Sequence, residues 1–165
     1  MIFVRHAEPA DAAQWAALRA ALWPDEDGAA HAAEVSRFFA GPRRGPGAMP
    51  EAVFVALESG RPPHTVAGFA EVSRRIHAEG CETSPVGFLE GWYVVPERRR
   101  HGVGRALVAA AEAWALALGC REFASDALAA NTLSATAHRA LGFEEVEVIR
   151  CFRKSLGPGD SSSGG

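Results

Sequence analysis

Arg98, Arg99, Arg100, His101, Gly102, Val103, Gly104 and Arg105 follow one another without interruption. Glycines just ahead of a helix let backbone N–H groups approach a ligand, and the first helical turn adds unpaired N–H groups and the positive end of the helix dipole. Arginines alongside supply fixed charge suited to phosphate. The chemistry indicated is anion binding. It is neither a Walker loop, which requires Gly-Lys-Ser/Thr, nor a dinucleotide fingerprint, which requires three glycines after a strand. A capped helix behind a solvated basic loop would contain the same residues.

A second group concerns cations. Glu90 stands inside an apolar run, Asp126 ends a short one, and Glu147 lies in the segment FEEVEVI at 143–149. Burying a carboxylate costs several kcal/mol unless a cation or hydrogen-bond donor meets it. Three such groups facing one cleft would make a cation site. Each has another reading: Glu147 on the solvent face of an alternating strand, Asp126 as a cap or turn residue, Glu90 paired internally with an arginine. Glu90 is the hardest to dismiss this way.

The elements that position these residues follow from periodicity. Residues 88–95 are apolar apart from Glu90 and Gly91, and their Phe, Trp, Tyr and Val content predicts a largely buried strand ended by Pro96. After the basic loop, Val103, Leu107, Ala110, Ala111, Trp114 and Leu118 recur at steps of three and four, a helix with one apolar stripe, stopped at Gly119. Before them come a short strand over 2–5, a helix capped by Asp11 with Trp15, Leu18 and Leu22 on one face, and a second helix starting at Asp27. Residues 41–50, GPRRGPGAMP, predict an exposed mobile loop, either a lid or a tolerated insertion. Strands over 51–58 and 65–74, joined by SGRPPH, make a hairpin. A strand over 122–126, a helix over 131–141 and strand-rich sequence over 143–156 complete the chain. The fold class is mixed α/β with a central, partly antiparallel sheet.

At 165 residues and 48% apolar composition the chain suits one domain, and its net charge of -3 gives no reason to expect nucleic acid or an anionic membrane as partner. Cys81, Cys120 and Cys151 are widely spaced with no C-x-x-C pair, so ordinary thiols in a reducing compartment are expected and no metal site. There is no signal-peptide pattern and no long apolar run, and a soluble cytoplasmic protein is expected.

Arg99-x-x-Gly102-x-Gly104, after a strand and opening a helix, resembles the acetyl-CoA pyrophosphate loop of the GNAT superfamily of N-acetyltransferases. Asn131, Ser134, Ala135, His138 and Leu141-Gly142-Phe143 resemble its second conserved segment, in which the Asn helps hold the pantetheine arm. The resemblance covers 1–156 as one acetyltransferase domain, with 157–165 as a flexible tail. It implies a largely antiparallel mixed sheet flanked by helices and splayed at its central strands, where Trp92, Tyr93 and Val94 offer backbone groups to the pantetheine. LWPD at 22–25, with the segments around Glu90 and Asn131, is similar to the aminoglycoside 6'-N-acetyltransferases. That likeness places Trp23, His77, Glu90, Asp126 and Glu147 at drug-contacting positions, His77 standing where the family has a tyrosine. It places Trp92, Tyr93, Val94, Arg99, Arg100, His101, Gly102, Val103, Gly104 and Asn131 at acetyl-CoA positions.

The implied activity is acetyl transfer from acetyl-CoA, a co-substrate, to the 6'-amine of an aminoglycoside, without a metal and without a covalent acyl-enzyme. Catalytic candidates are Glu90, as the base the ammonium needs before it can attack, Asp126, and His138, which stands where many relatives carry a thiolate-protonating tyrosine. His138 could equally be a packed, hydrogen-bonded residue. The family's usual assembly makes a homodimer the expected partner. Two rivals remain: an acetyltransferase for a polyamine, peptide or metabolite amine, and a non-catalytic acyl-CoA-binding domain.

Overall fold

Strand sequences with apolar residues on both faces can be buried only if both faces of the sheet are covered, and the helices are distributed accordingly. The computed structural model describes residues 2–41, 45, 47–58 and 64–157. The elements are β1 (Ile2–His6), α1 (Ala12–Leu22), α2 (Gly28–Ala40), β2 (Ala52–Glu58), β3 (Val66–Arg75), β4 (Val86–Val94), α3 (Val103–Ala117), β5 (Phe123–Ser125) and α4 (Thr132–Ala140). One five-stranded sheet runs in the order β1-β2-β3-β4-β5. Its pairs are antiparallel except β4 with β5, which is parallel.

The two larger of three hydrophobic clusters among the described residues lie on opposite sheet faces, the third being Ala78, Val86 and Phe88. Val103, Leu107 and Ala111 of the α3 stripe, with Val108 beside them, pack on Phe54, Ala56, Val72 and Leu89. Trp15 and Val35, from α1 and α2, pack on Val53, Val55 and Phe69. Gly119, at φ 86, closes α3.

Two expectations change. Asp27 caps α2 through Ala29 N–H (3.1 Å), but Asp11, at the head of α1, does not cap with its side chain. Its carboxylate instead accepts Arg5 Nη1 (2.7 Å), Arg5 Nη2 (3.1 Å) and Glu8 N–H (2.8 Å), tying β1 to α1. The terminal strand over 143–156 is absent: residues 143–157 form no strand, and Val146, Val148, Ile149, Phe152 and Leu156 are exposed. A strand requires a pairing edge, and among the described residues this segment has no strand partner. Residues 42–44 and 46 of the expected loop, 59–63 of the hairpin turn and 158–165 of the tail lie outside the described residues. Among the described residues no helix is long and apolar enough to cross a membrane.

Candidate active site

Glu90 owes its position to a break in register. Gly91 opposes Glu71 and Leu89 opposes Val72, so Glu90 is the extra residue of a β-bulge in β4. Leu89 and Trp92 pack in the core under α3. Glu90, by contrast, lines a cavity on the other face, and Gly91 meets the ring of Trp23 there. In a regular strand consecutive side chains would alternate; the bulge turns Glu90 and Gly91 to the same side.

That cavity, of about 350 Å³, is lined by Trp23, Arg19, Glu34, Glu71, Glu90 and Met49 among others. Arg19 lies four residues after Trp15, on the same buried helix face. Its Nη1 donates to Glu71 Oε1 (2.5 Å), which also accepts Trp15 Nε1 (2.9 Å). Its Nη2 donates to Glu34. Burial pushes the Glu71 carboxyl up, outweighing the lowering effect of Arg19 and Trp15. The Arg19 guanidinium lies 4.9 Å from the Trp23 ring centroid, and His31 stacks on the same ring at 6.2 Å. Trp23 is therefore held from several directions. Glu90 is gripped by Ser73 Oγ and by Arg75, whose Nε donates to Oε1 (3.1 Å) and Nη2 to Oε2 (2.5 Å). The internal arginine pair that the sequence allowed for Glu90 thus exists.

The sheet opens beside this cavity. β5 pairs with β4 only at Phe123–Ser125 against Gly87, Phe88 and Leu89. Beyond that point, among the described residues, β4 pairs with β3 alone. Val95 N–H donates to Ala67 O (3.0 Å), so by strand alternation the N–H and C=O of Val94 and Trp92 point away from β3 and into the gap. Arg99 Nε donates to Val94 O (3.0 Å), and its guanidinium lies 5.4 Å from the Tyr93 ring centroid.

The α3 N-terminus stands at the same gap. The first intrahelical bond runs from Ala106 N–H to Gly102 O (2.9 Å), leaving the N–H groups of Val103, Gly104 and Arg105 without helical acceptors. Gly102 adopts φ 81, and Arg100 the same left-handed region at φ 62. Gly104 serves differently: a Cβ there would lie 2.7 Å from Trp92 Cζ3, so its lack of a side chain lets the first turn settle on that ring. His101 Nδ1 lies 2.7 Å from Arg99 O, bracing the loop, and Arg100 is exposed. Bare N–H groups, neighbouring arginines and an open strand edge suit a phosphate-bearing acyl carrier such as acetyl-CoA.

The remaining candidates are scattered. Asp126 directly follows Ser125, the register partner of Leu89, and so stands past the end of β5 at the level of Glu90. Asn131 caps α4, its Oδ1 accepting from Ser134 N–H (3.0 Å). His138 Nδ1 donates to Ser134 O (2.8 Å), Nε2 lies 2.9 Å from Ser125 Oγ, and the ring packs edge-on to Trp92 and Phe143. His77 and Glu147 are exposed and do not line the cavity. Burial pushes the Cys81 and Cys120 thiols up, the opposite of what a nucleophilic thiolate needs.

Sequence reasoning missed Arg19, Glu34, Glu71, Ser73 and Arg75. Glu71 carried a signal, since an acid inside VAGFAEV is the same anomaly as Glu90. Arg19 and Glu34 sit on helices, where charges ordinarily read as a solvated face.

The profile of the acetyltransferase (GNAT) family matches residues 15–143. An aminoglycoside N(6')-acetyltransferase type 1 of Klebsiella aerogenes is 49% identical over 93% of this chain and 96% of its own length. One of Stenotrophomonas maltophilia is 46% identical over 94% of each. Among solved structures, AAC(6')-Iy in complex with the bisubstrate analogue CoA-S-monomethyl-acetylneamine superposes with TM-score 0.80 at 36% identity, over 94% of this chain and 99% of that one. The aminoglycoside 6'-N-acetyltransferase AAC(6')-Ih from Acinetobacter baumannii gives TM-score 0.82 at 34% identity, over 95% of this chain and 100% of that one. A cavity lined by acids and roofed by an aromatic, joined to an open strand edge and a bare helix N-terminus, is thus found in a chain that belongs to the GNAT acetyltransferases and, within them, to the aminoglycoside 6'-N-acetyltransferases.

Proposed function

We propose that this enzyme transfers the acetyl group of acetyl-CoA to the 6'-amine of aminoglycoside antibiotics and so confers resistance to them. The observation that carries the reading is the bulge at Glu90, which turns a carboxylate into the Trp23 cavity beside the β4–β5 gap. Aminoglycosides are polycations, and the cavity brings three glutamates, Glu34, Glu71 and Glu90, together with Arg19 and Arg37 and the Trp23 ring, so carboxylates are at hand for the drug's ammonium groups and an aromatic wall for its sugar faces.

Acetyl-CoA supplies an acyl thioester. The α3 N-terminus with Arg99, Arg100, His101, Gly102, Val103 and Gly104 holds its phosphates, and the gap-facing backbone of Trp92 and Val94, with Tyr93 behind, receives its arm. Asn131 serves this site through the α4 start that it caps. Glu90 takes the proton that the substrate ammonium must lose, directly or through water, and the free amine then attacks in a single ternary complex. Trp23 and Asp126 orient the drug, with His77 and Glu147 as outlying contacts. His138, between Ser125 and Ser134, supplies a proton to the departing thiolate. The chain acts as a single domain over 1–156 in the cytoplasm. It works as a homodimer, in which the apolar segment around Val146, Val148, Ile149 and Phe152 finds the pairing edge it lacks alone.

A thiol-release assay with acetyl-CoA against kanamycin, tobramycin and gentamicin, with spermidine and a lysine peptide alongside, tests this. Turnover on drugs with a free 6'-amine, lost when that amine is replaced by hydroxyl, is expected. Activity confined to spermidine or the peptide would keep the acetyltransferase and discard the drug.

A further inference from the structure

Glu90 is held differently from the other cavity acids. Glu71 and Glu34 are bound by Arg19, which itself lines the cavity. The partners of Glu90, Ser73 and Arg75, do not line it. They lie near the end of β3, Ser73 in register with Phe88 and Arg75 with Val86. The carboxylate is thus gripped from the sheet while it faces the cavity.

The grip is geometrically over-determined. Arg75 presents two donors side-on, Nε to Oε1 at 3.1 Å and Nη2 to Oε2 at 2.5 Å, and Ser73 Oγ adds a third bond to Oε1. The plane of the fork is set in turn by Phe88, whose ring centroid lies 3.4 Å from Arg75 Cζ and whose side chain is buried. Such a fork fixes a carboxylate in orientation as well as position, which a lone lysine cannot do. Without it a residue standing in a bulge, outside the regular ladder, would have only its own rotamer to aim it.

We propose that Arg75, with Ser73, is a positioning residue for the proton-accepting carboxylate of Glu90, seated on Phe88 and acting only through Glu90. This rests on the base role assigned to Glu90 above. Misplacement of a reacting group by about 1 Å costs on the order of 100-fold in rate, so losing the fork should be visible in turnover and absent from cofactor binding.

The test is a double-mutant cycle on the full chain, run with whichever amine the wild-type enzyme acetylates. Arg75→Gln is expected to lower kcat about 10- to 100-fold with the Kd for acetyl-CoA unchanged, and Arg75→Lys to recover part of the loss. Placed on Glu90→Gln, Arg75→Gln should add nothing, because its effect passes through the missing carboxylate. Ser73→Ala provides a milder second arm if Arg75→Gln lowers the melting temperature. An additive cycle, or wild-type kcat in both Arg75→Gln and Ser73→Ala, overturns the role of Arg75 and Ser73. A wild-type chain that acetylates no amine overturns the base role of Glu90 itself, and with it this inference.

Discussion

The six-membered ring of Trp23 rests on the backbone of Gly91: a β-carbon at that glycine would fall 2.6 Å from both Cζ2 and Cη2. The ring is also fixed by His31 and Arg19, so it has little room to yield. Gly91→Ala should therefore move Trp23 and reshape the cavity at the residue next to the base. The expected result is a KM for kanamycin raised about tenfold, in the range for overpacking at a tight contact, with acetyl-CoA affinity unchanged. Steady-state kinetics with each substrate varied in turn separates the two, and an unaltered drug KM would contradict the packing described.

Glu90→Gln keeps the shape and removes the proton acceptor. A fall of about 100-fold or more in kcat/KM for aminoglycosides is expected, on the usual scale for general-base catalysis. Wild-type-like turnover would remove Glu90 from the chemistry.

At the other end of the gap, Arg99 holds the loop to the Val94 carbonyl, and Gly102 sits in left-handed backbone that costs other residues about 1 kcal/mol. Arg99→Ala and Gly102→Ala should each weaken acetyl-CoA binding by roughly tenfold, read by calorimetry. A change in drug affinity without a change in cofactor affinity would place this loop elsewhere in the mechanism.

Asp11 gives a stability prediction with a defined sign. Burial works against its charge, but the Arg5 hydrogen bonds, the Glu8 N–H and the Arg5 charge outweigh that and hold its carboxyl below the usual value of 3.8. A carboxyl lowered in the folded state binds fewer protons there than when unfolded. Its contribution is thus present above about 3.8 and fades as pH falls through the folded value. Asp11→Asn should cost on the order of 1–3 kcal/mol at pH 7, and denaturant titrations should show that difference shrinking below pH 4 or so. A difference independent of pH would mean the pair acts by packing alone.

The sheet and α3 were legible because their patterns are strong: the continuous apolar run of β4 is buried on both faces, and the Val103, Leu107, Ala111 stripe buries one face of α3. Glu90 was legible as an acid in that run. Its bulge was only hinted at, by Gly91 inside an apolar strand run, and could not be placed, since register is a property of two strands. Residues 143–156 show the reverse error. Their alternation reads as strand, yet pairing needs an edge as well as a pattern, and within one chain β5 offers only three residues. The contact of Gly104 with the Trp92 ring was hidden for a similar reason, since that neighbour is contributed by another element.

The bulge also says how this site can be lost. Substitution at Glu90 changes one group, whereas deleting it would join Leu89 directly to Gly91 and close a regular ladder with β3, because their partners Val72 and Glu71 are already adjacent. Trp92 would still oppose Ala70 under α3, and Val94 would still oppose Gly68 with its backbone groups turned to the gap. The proton acceptor is therefore encoded in the length of β4 as much as in the identity of its residues: a one-codon deletion would remove it while the ladder, the pantetheine edge and the core closed over its absence.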